Sequence, residues 1–71
     1  MISPTLKIVV NDAERVVPRG SSVETLLADL GLQPRFLAVE LNRRVISRGE
    51  HRATLLADDD RIEIVTLVGG G

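Results

Sequence analysis

The chain has 71 residues and no cysteine, with nine basic and ten acidic residues and a formal net charge of −1. This length allows one small domain, and the absence of cysteine excludes disulfides and thiolate metal sites. The near-neutral charge and the single aromatic residue, Phe36, argue against nucleic acid as a partner. No apolar run reaches the roughly 20 residues of a membrane helix, so no membrane partner is expected either. We expect an aliphatic-cored domain in the cytoplasm.

Two short strands open the predicted fold. Residues 6–10 alternate in polarity and are rich in β-branched side chains, which predicts a strand. Asn11 and Asp12 tolerate positive φ and suit a two-residue hairpin loop, after which residues 13–17 return as a second strand. Pro18 is predicted to end that strand, because proline has no N–H to donate to a ladder.

A single short helix follows this hairpin. Ser21 stands three residues before Glu24, as in a capping box, and Ser22 is an equally suitable N-cap. The apolar residues have the i, i+3, i+4, i+7 spacing of one helix face: Val23, Leu26, Leu27 and Leu30. Gly31 is predicted at the first position past the C-cap. So short a helix is stable only when its apolar face packs on a sheet.

The second half of the chain is predicted to contain further strands and turns. A strand at residues 36–41 follows Pro34, and Asn42 and Arg43 form a second tight turn before a short strand at residues 45–46. The remaining segments are irregular residues 47–52, a weak extended stretch at 53–57, a turn at 58–60 and a last strand at 61–67. The order predicts an α+β, ubiquitin-like β-grasp fold. In it a mixed sheet packs on one helix, and the first and last strands pair in parallel at the centre.

No internal residue is predicted to be catalytic or to bind a metal. His51 is the only histidine, and we predict a solvated surface position because no nucleophile or second base accompanies it. The three aspartates at residues 58–60 lack the further oxygen ligands of a hard-cation site, so a solvated turn is preferred. Ser21 and Ser22 are accounted for by helix capping.

Five arginines lie in the middle of the chain, where Glu40 and Glu50 are the acidic neighbours. They are Arg35, Arg43, Arg44, Arg48 and Arg52. The preferred interpretation is a solvated surface that is partly paired with those two acids. The alternative is a basic patch that docks an acidic partner and speeds their encounter.

The end of the last strand is the candidate functional site. Alternation places two isoleucines of this strand on the helix side, so Val65 and Leu67 point to the opposite face, where a two-layer domain leaves them uncovered. We therefore predict a partner interface formed by Val65, Leu67 and Val68. The domain, residues 1–71, is predicted to end in a flexible tail at residues 68–71.

The glycines of this tail add nothing to a core, so taken alone they are typical of a chain end without function or of loop residues. The alternative is that the C-terminus is itself the functional site. A terminal glycine at Gly71 presents an α-carboxylate with no side chain beside it. Gly69 and Gly70 would let that carboxylate enter a narrow channel in another protein.

The whole chain resembles the ThiS family, the ubiquitin-like sulfur carrier proteins of thiamine biosynthesis. The resemblance rests on the order and spacing of VETLL at residues 23–27, LAVELN at 37–42, and DRIEIV at 60–65 with the closing VGGG at 68–71. Asp59 stands where the family usually has the glycine of an Asp-Gly-Asp turn. Aspartate tolerates the left-handed conformation better than most residues, so the turn is expected to form.

The resemblance implies a carrier rather than an enzyme. In the family, an adenylating, E1-like enzyme uses ATP and Mg²⁺ to activate the C-terminal carboxylate, which is ionised at neutral pH and a poor electrophile. Sulfur from a persulfide donor then replaces AMP and leaves a thiocarboxylate, here on Gly71, and a thiazole synthase receives the sulfur. Gly69 and Gly70 take the role of the narrow, flexible segment that enters the active sites of the adenylating enzyme and of the thiazole synthase. The carrier itself binds no cofactor or metal.

Three alternatives to this function remain open. The chain could carry sulfur for molybdopterin or for another sulfuration pathway, because these use the same tail chemistry with other partners. It could be a ubiquitin-like protein modifier that forms an isopeptide bond through Gly71. It could also be a plain β-grasp binding module.

Overall fold

The computed structural model describes residues 2–67. The elements, in chain order, are β1 (Thr5–Val10), β2 (Ala13–Pro18), α1 (Val23–Asp29), a 3₁₀ helix at Pro34–Phe36, β3 (Leu37–Leu41), β4 (Arg44–Ile46), a 3₁₀ helix at Arg48–Glu50 and β5 (Arg61–Thr66). The predicted tail at residues 68–71 lies outside this description. No helix in the described part of the chain is long and apolar enough to cross a membrane.

The five strands form one mixed sheet in the order β2-β1-β5-β3-β4. β1 pairs with β5 in parallel, through Val9 opposite Arg61 and Val10 opposite Ile62. The other neighbours are antiparallel. The prediction that the first and last strands meet in parallel at the centre of the sheet is therefore confirmed.

Both predicted two-residue turns are confirmed. Asn11 and Asp12 have φ of 48° and 68°, and Asn42 and Arg43 have φ of 51° and 69°. Two successive residues at positive φ are typical of the turn that matches the twist of a hairpin. Asp59 also has positive φ, at 68°, so an aspartate adopts the left-handed conformation expected at this position.

The helix begins one residue later than the Ser21 capping box would place it. Ser22 is the N-cap: its Oγ accepts a hydrogen bond of 3.1 Å from the Thr25 amide, and the Thr25 hydroxyl accepts one of 2.8 Å from the Ser22 amide. Glu24 is therefore not part of the box, and the Ser21 hydroxyl instead donates to the carbonyl of Pro18, the last residue of β2. Gly31, with φ of 71°, follows the C-cap as predicted.

Several predicted strand boundaries differ from the structure by one residue; β1 begins at Thr5 and β5 ends at Thr66. Phe36 belongs to a 3₁₀ helix, so β3 starts one residue later, and Pro18 is still part of β2. An edge strand tolerates this proline because no ladder partner is needed on its outer side. Residues 53–57 form no strand. Their extended character is limited to one bridge between Ser22 and Leu55.

The core lies between one face of the sheet and the helix. Its members alternate along the strands and recur at helical spacing, namely Leu6, Ile8, Val17, Val23, Leu26, Leu27, Val39, Leu56 and Ile62. The helix covers this face only, so the outer face of the sheet keeps exposed valines on three strands, at positions 16, 45 and 65. The site described below lies at one end of that outer face.

Candidate functional site

The strand that leads to the glycines lies at the centre of the sheet and is held along its whole length. β5 lies between β1 and β3, and its pairing with β3 runs from Ile62 to Thr66. The ladder continues one residue further, because the Leu67 amide donates a 2.7 Å hydrogen bond to the Phe36 carbonyl. The residue directly before Val68 is therefore still attached to the sheet.

Asn11 holds the other side of β5, where β1 has already turned away. Its amide donates to the Ile62 carbonyl at 2.9 Å. Its side-chain Oδ1 accepts from the Ile64 amide at 2.8 Å, and its Nδ2 donates to the Ile64 carbonyl at 3.2 Å. The carboxamide thus takes the place of a missing strand residue. The sequence indicated only a turn former here, because the contact joins residues 53 positions apart.

The side chains around the end of β5 are apolar and exposed. Val65 and Leu67 are 53% and 52% exposed, as predicted for the face opposite the helix. Phe36, which the sequence did not indicate as part of this surface, is 48% exposed and hydrogen-bonded through its carbonyl to Leu67. We call Phe36, Val65 and Leu67 the tail-base patch. Val68, the third predicted interface residue, and the glycines lie outside the described residues.

A basic cluster adjoins the tail-base patch. The Arg35 guanidinium lies 4.7 Å from the centroid of the Phe36 ring. Arg35 and Arg48 line one cleft, together with Glu24, Leu32, Gln33, Pro34 and His51. Within residues 2–67, none of the five arginines between positions 35 and 52 forms a salt bridge. The expected partial pairing with Glu40 and Glu50 is therefore not observed.

Glu50 is occupied by a different partner. Its Oε1 accepts hydrogen bonds from the Ser47 hydroxyl at 2.8 Å and the Ser47 amide at 3.3 Å. These two bonds, helped by the charges of Arg44 and His51, lower the pKa of Glu50 from its ordinary value. The carboxylate therefore caps the second 3₁₀ helix.

The prediction of a solvated His51 is wrong. The residue is 4% exposed, and its Nε2 lies 3.3 Å from the Ile46 carbonyl oxygen. Its own carbonyl accepts from the Glu24 amide at 3.1 Å, which ties the second 3₁₀ helix to the start of α1. His51 is thus a structural residue at the junction of three elements.

The aspartates at residues 58–60 mainly organise the loop before β5. Asp58 accepts from the Lys7 amide at 3.0 Å, and Asp60 accepts from the Ala57 amide at 2.7 Å and the Asn42 side chain at 2.9 Å. The described residues hold no group of three histidine, cysteine or acidic side chains placed to bind a metal ion. These carboxylates therefore set the start of β5.

A mixed sheet of this order that packs on one helix, with glycines in the sequence shortly after its last strand, defines a ubiquitin-like β-grasp protein. The chain belongs to the ThiS family, whose model matches residues 4–71. The crystal structure of the thiamine biosynthesis protein ThiS from Geobacter metallireducens superposes with a TM-score of 0.81 at 32% identity. The match covers 93% of this chain and 100% of that one.

Three curated relatives extend this comparison. The sulfur carrier protein ThiS of Bacillus subtilis is 38% identical over 50 residues, which are 70% of this chain and 76% of that protein. A thiazole synthase of Magnetococcus marinus is 42% identical over 66 residues, which are 93% of this chain. The chain spans only 20% of the length of that synthase, and the same share of a second one from Paramagnetospirillum magneticum.

Proposed function

We propose that this protein is a sulfur carrier of thiamine biosynthesis, that it carries sulfur as a thiocarboxylate on Gly71, and that it is a cosubstrate rather than an enzyme. The observation that carries the proposal is the family match, which runs through the glycines to residue 71. The B. subtilis relative, named as a sulfur carrier, supports the same function.

The proposed chemistry has three steps. A carboxylate oxygen of Gly71 attacks the α-phosphate of ATP in an Mg²⁺-dependent adenylating enzyme, which releases pyrophosphate. The terminal sulfur of a persulfide attacks the acyl-adenylate carbonyl, and AMP leaves with its oxygen. A thiol then splits the S–S bond, leaving the thiocarboxylate on Gly71 and a disulfide on the donor. Activation is needed because an ionised carboxylate is a poor electrophile.

The geometry at the end of β5 suits this role. Hydrogen bonds to Asn11 and Phe36 hold the strand up to Leu67, so the proposed lead, Gly69 and Gly70, starts from a fixed position. The tail-base patch surrounds that position with apolar surface. A partner that receives the glycines in a channel would cover this patch at the channel mouth.

A thiazole synthase is the proposed acceptor of the sulfur. The M. marinus and P. magneticum thiazole synthases each contain a segment similar to 93% of this chain within a polypeptide about five times as long. Joining two modules raises the effective concentration of each for the other, which is useful when they act together.

The cytoplasmic location of the protein stays a prediction.

The intact mass of the protein tests this function. We would first measure the protein as its own cells make it, to establish that the chain ends at Gly71. We would then incubate it with ATP, Mg²⁺, the adenylating enzyme of the same organism, a persulfide donor and a thiol. The expected mass gain equals the difference between one sulfur and one oxygen atom.

The matched control lacks Gly71 only, and we expect it to fold normally and to gain no sulfur. Sulfur uptake by this shortened chain would contradict the proposal. An acyl-adenylate that forms without sulfur uptake, together with isopeptide conjugates in cell extract, would support the protein-modifier alternative instead.

A further inference from the structure

The charges of this protein are segregated along the chain. Residues 35–52 contain five arginines and two glutamates, whereas the rest of the chain contains four basic and eight acidic residues. The segment consists of the end of the first 3₁₀ helix, strands β3 and β4, and the second 3₁₀ helix. Because β4 is an outer strand of the sheet, these arginines are concentrated towards one side of the molecule.

Ion pairing follows the same division. Outside the segment, three basic residues are paired: Lys7 with Glu14 at 3.9 Å, Arg19 with Asp58 at 3.5 Å and Arg61 with Asp12 at 3.2 Å. Inside it, the arginines have no salt bridge to any described residue, and the carboxylate of Glu50 is already engaged by Ser47. Their guanidinium groups are therefore available to a partner.

One of these arginines lies beside the proposed exit of the tail, and a second shares a cleft with it. Arg35 precedes Phe36, whose carbonyl binds the Leu67 amide, and Arg48 lines the same cleft as Arg35. The half-exposed Phe36 ring restricts the Arg35 guanidinium that lies over it, and within residues 2–67 the N–H groups of this guanidinium have no hydrogen-bond acceptor. An arginine ordered in this way loses less entropy when it binds a carboxylate.

We propose that Arg35 and Arg48 form a docking site for an acidic surface on the enzyme that adenylates the tail, next to the mouth of its channel. This inference rests on the proposed function. A carboxylate can accept two parallel hydrogen bonds from one guanidinium, so the site favours acidic side chains. Glu24 on the cleft wall disfavours a carboxylate placed at that wall, so the contact falls on the Arg35–Arg48 side.

Charge reversal at single positions tests the site. Arg35→Glu and Arg48→Glu are compared with Arg15→Glu, which makes the same change in net charge on β2, at the opposite side of the sheet. The readout is adenylation by the enzyme with carrier concentration varied, at low and high salt. We expect each test variant to lower kcat/KM about tenfold at low salt, with kcat kept at saturating carrier. The loss should shrink as salt screens the charges.

Conservative variants separate recognition from charge alone. Arg35→Lys keeps the charge but loses the forked guanidinium, so we expect an intermediate kcat/KM. Phe36→Leu keeps apolar surface and removes the ring that orders Arg35, and should resemble Arg35→Lys. Circular dichroism and thermal unfolding establish that each variant is folded.

Two results would overturn the inference. The first is equal kcat/KM for the Arg15, Arg35 and Arg48 reversals, and the second is a loss that does not change with salt. Both leave the proposed function intact as long as the unaltered protein is adenylated and gains sulfur. If the unaltered protein is not adenylated, the proposed function itself fails, so the two failures are distinguishable.

Discussion

At the scale of single residues, His51 shows how tertiary contacts override local sequence. Its neighbours Glu50 and Arg52 are charged and no nucleophile or second base accompanies it, which indicated a surface position. The 3₁₀ helix before it nevertheless turns the ring inward, where Nε2 meets the Ile46 carbonyl. Its Nδ1 is buried and has no hydrogen-bond partner within residues 2–67. The histidine is therefore held by packing and one polar contact.

Glu50 should make stability depend on pH. Its pKa is lowered in the folded protein, chiefly by the Ser47 hydroxyl, so the ionised form is favoured by folding. The sign follows from linkage: this contribution is fully present above the pKa of the unfolded chain and is lost as pH falls through the lower folded-state pKa. Glu50→Gln removes the charge and keeps an acceptor oxygen. We expect a lower Tm than the unaltered protein at pH 7 and no difference in strong acid.

The control for this measurement is Glu63→Gln. Glu63 is exposed on β5, and its carboxylate accepts no hydrogen bond from the described residues. Its substitution should change Tm little at either pH. A Glu50→Gln deficit that persisted in strong acid would mean that the loss comes from hydrogen-bond geometry rather than from ionisation.

At the scale of elements, β5 depends on a neighbour that is not a strand. β1 pairs with β5 only at Val9 and Val10, and the Asn11 side chain takes over at Ile64. One residue thereby combines two requirements, a positive φ for the hairpin turn and a carboxamide that mimics backbone. Few residues other than asparagine satisfy both.

Asn11→Ala should loosen the end of β5. The variant loses both side-chain bonds to Ile64, and at φ of 48° alanine tolerates the left-handed conformation less well than asparagine. We expect the free energy of unfolding to fall by about 1–3 kcal/mol, measured by urea denaturation. Hydrogen exchange at the Ile64 amide should accelerate as well.

Asn11→Gly is the matched control for that change. It loses the same hydrogen bonds but is tolerant of positive φ, so its destabilisation should be smaller while its Ile64 exchange is equally fast. Unchanged exchange at Ile64 in both variants would show that the carboxamide does not protect the strand.

At the scale of the whole molecule, the single helix leaves the sheet with two unlike faces. The inner face carries the core, where Ile8 and Leu27 are fully buried. The outer face keeps exposed apolar side chains at Val16 on β2, at Val45 on β4 and in the tail-base patch near the centre. Only the patch adjoins the segment that leads to the glycines, so position rather than hydrophobicity distinguishes it.

Replacing the patch should therefore affect partner binding and not folding. For Val65→Ser combined with Leu67→Ser, we expect a change of about 0.5 kcal/mol or less per site in the free energy of unfolding. We also expect at least a tenfold loss in kcat/KM for adenylation, because the apolar contact at the channel mouth is removed.

Val16→Ser is the control on the same face. Val16 is 65% exposed, so it presents at least as much apolar surface as Val65, but on strand β2. Its substitution should leave adenylation unchanged. Equal losses for the control and the patch would indicate a general effect of the outer face.

Local signals in the sequence determined most of the architecture. Features that depend on interactions within a few residues are confirmed. They are the turns at Asn11–Asp12 and Asn42–Arg43, the helical spacing of the leucines in α1, and the glycine that follows this helix at position 31. The mixed sheet with a central parallel pair followed from element order, and so did the outward face of Val65 and Leu67. The family resemblance, which rested on motif order, is confirmed too.

Only the tertiary structure decided the features that join distant parts of the chain. They are the bonds from the Asn11 carboxamide to Ile64, the burial of His51 and the bond from the Leu67 amide to the Phe36 carbonyl. The lack of salt bridges within residues 2–67 at the five arginines of residues 35–52 also depends on which segments meet. The periodicity of apolar residues indicates on which face of its own helix or strand a side chain lies. It contains no information about the neighbour across the sheet, and that neighbour determines burial, hydrogen bonding and charge at this site.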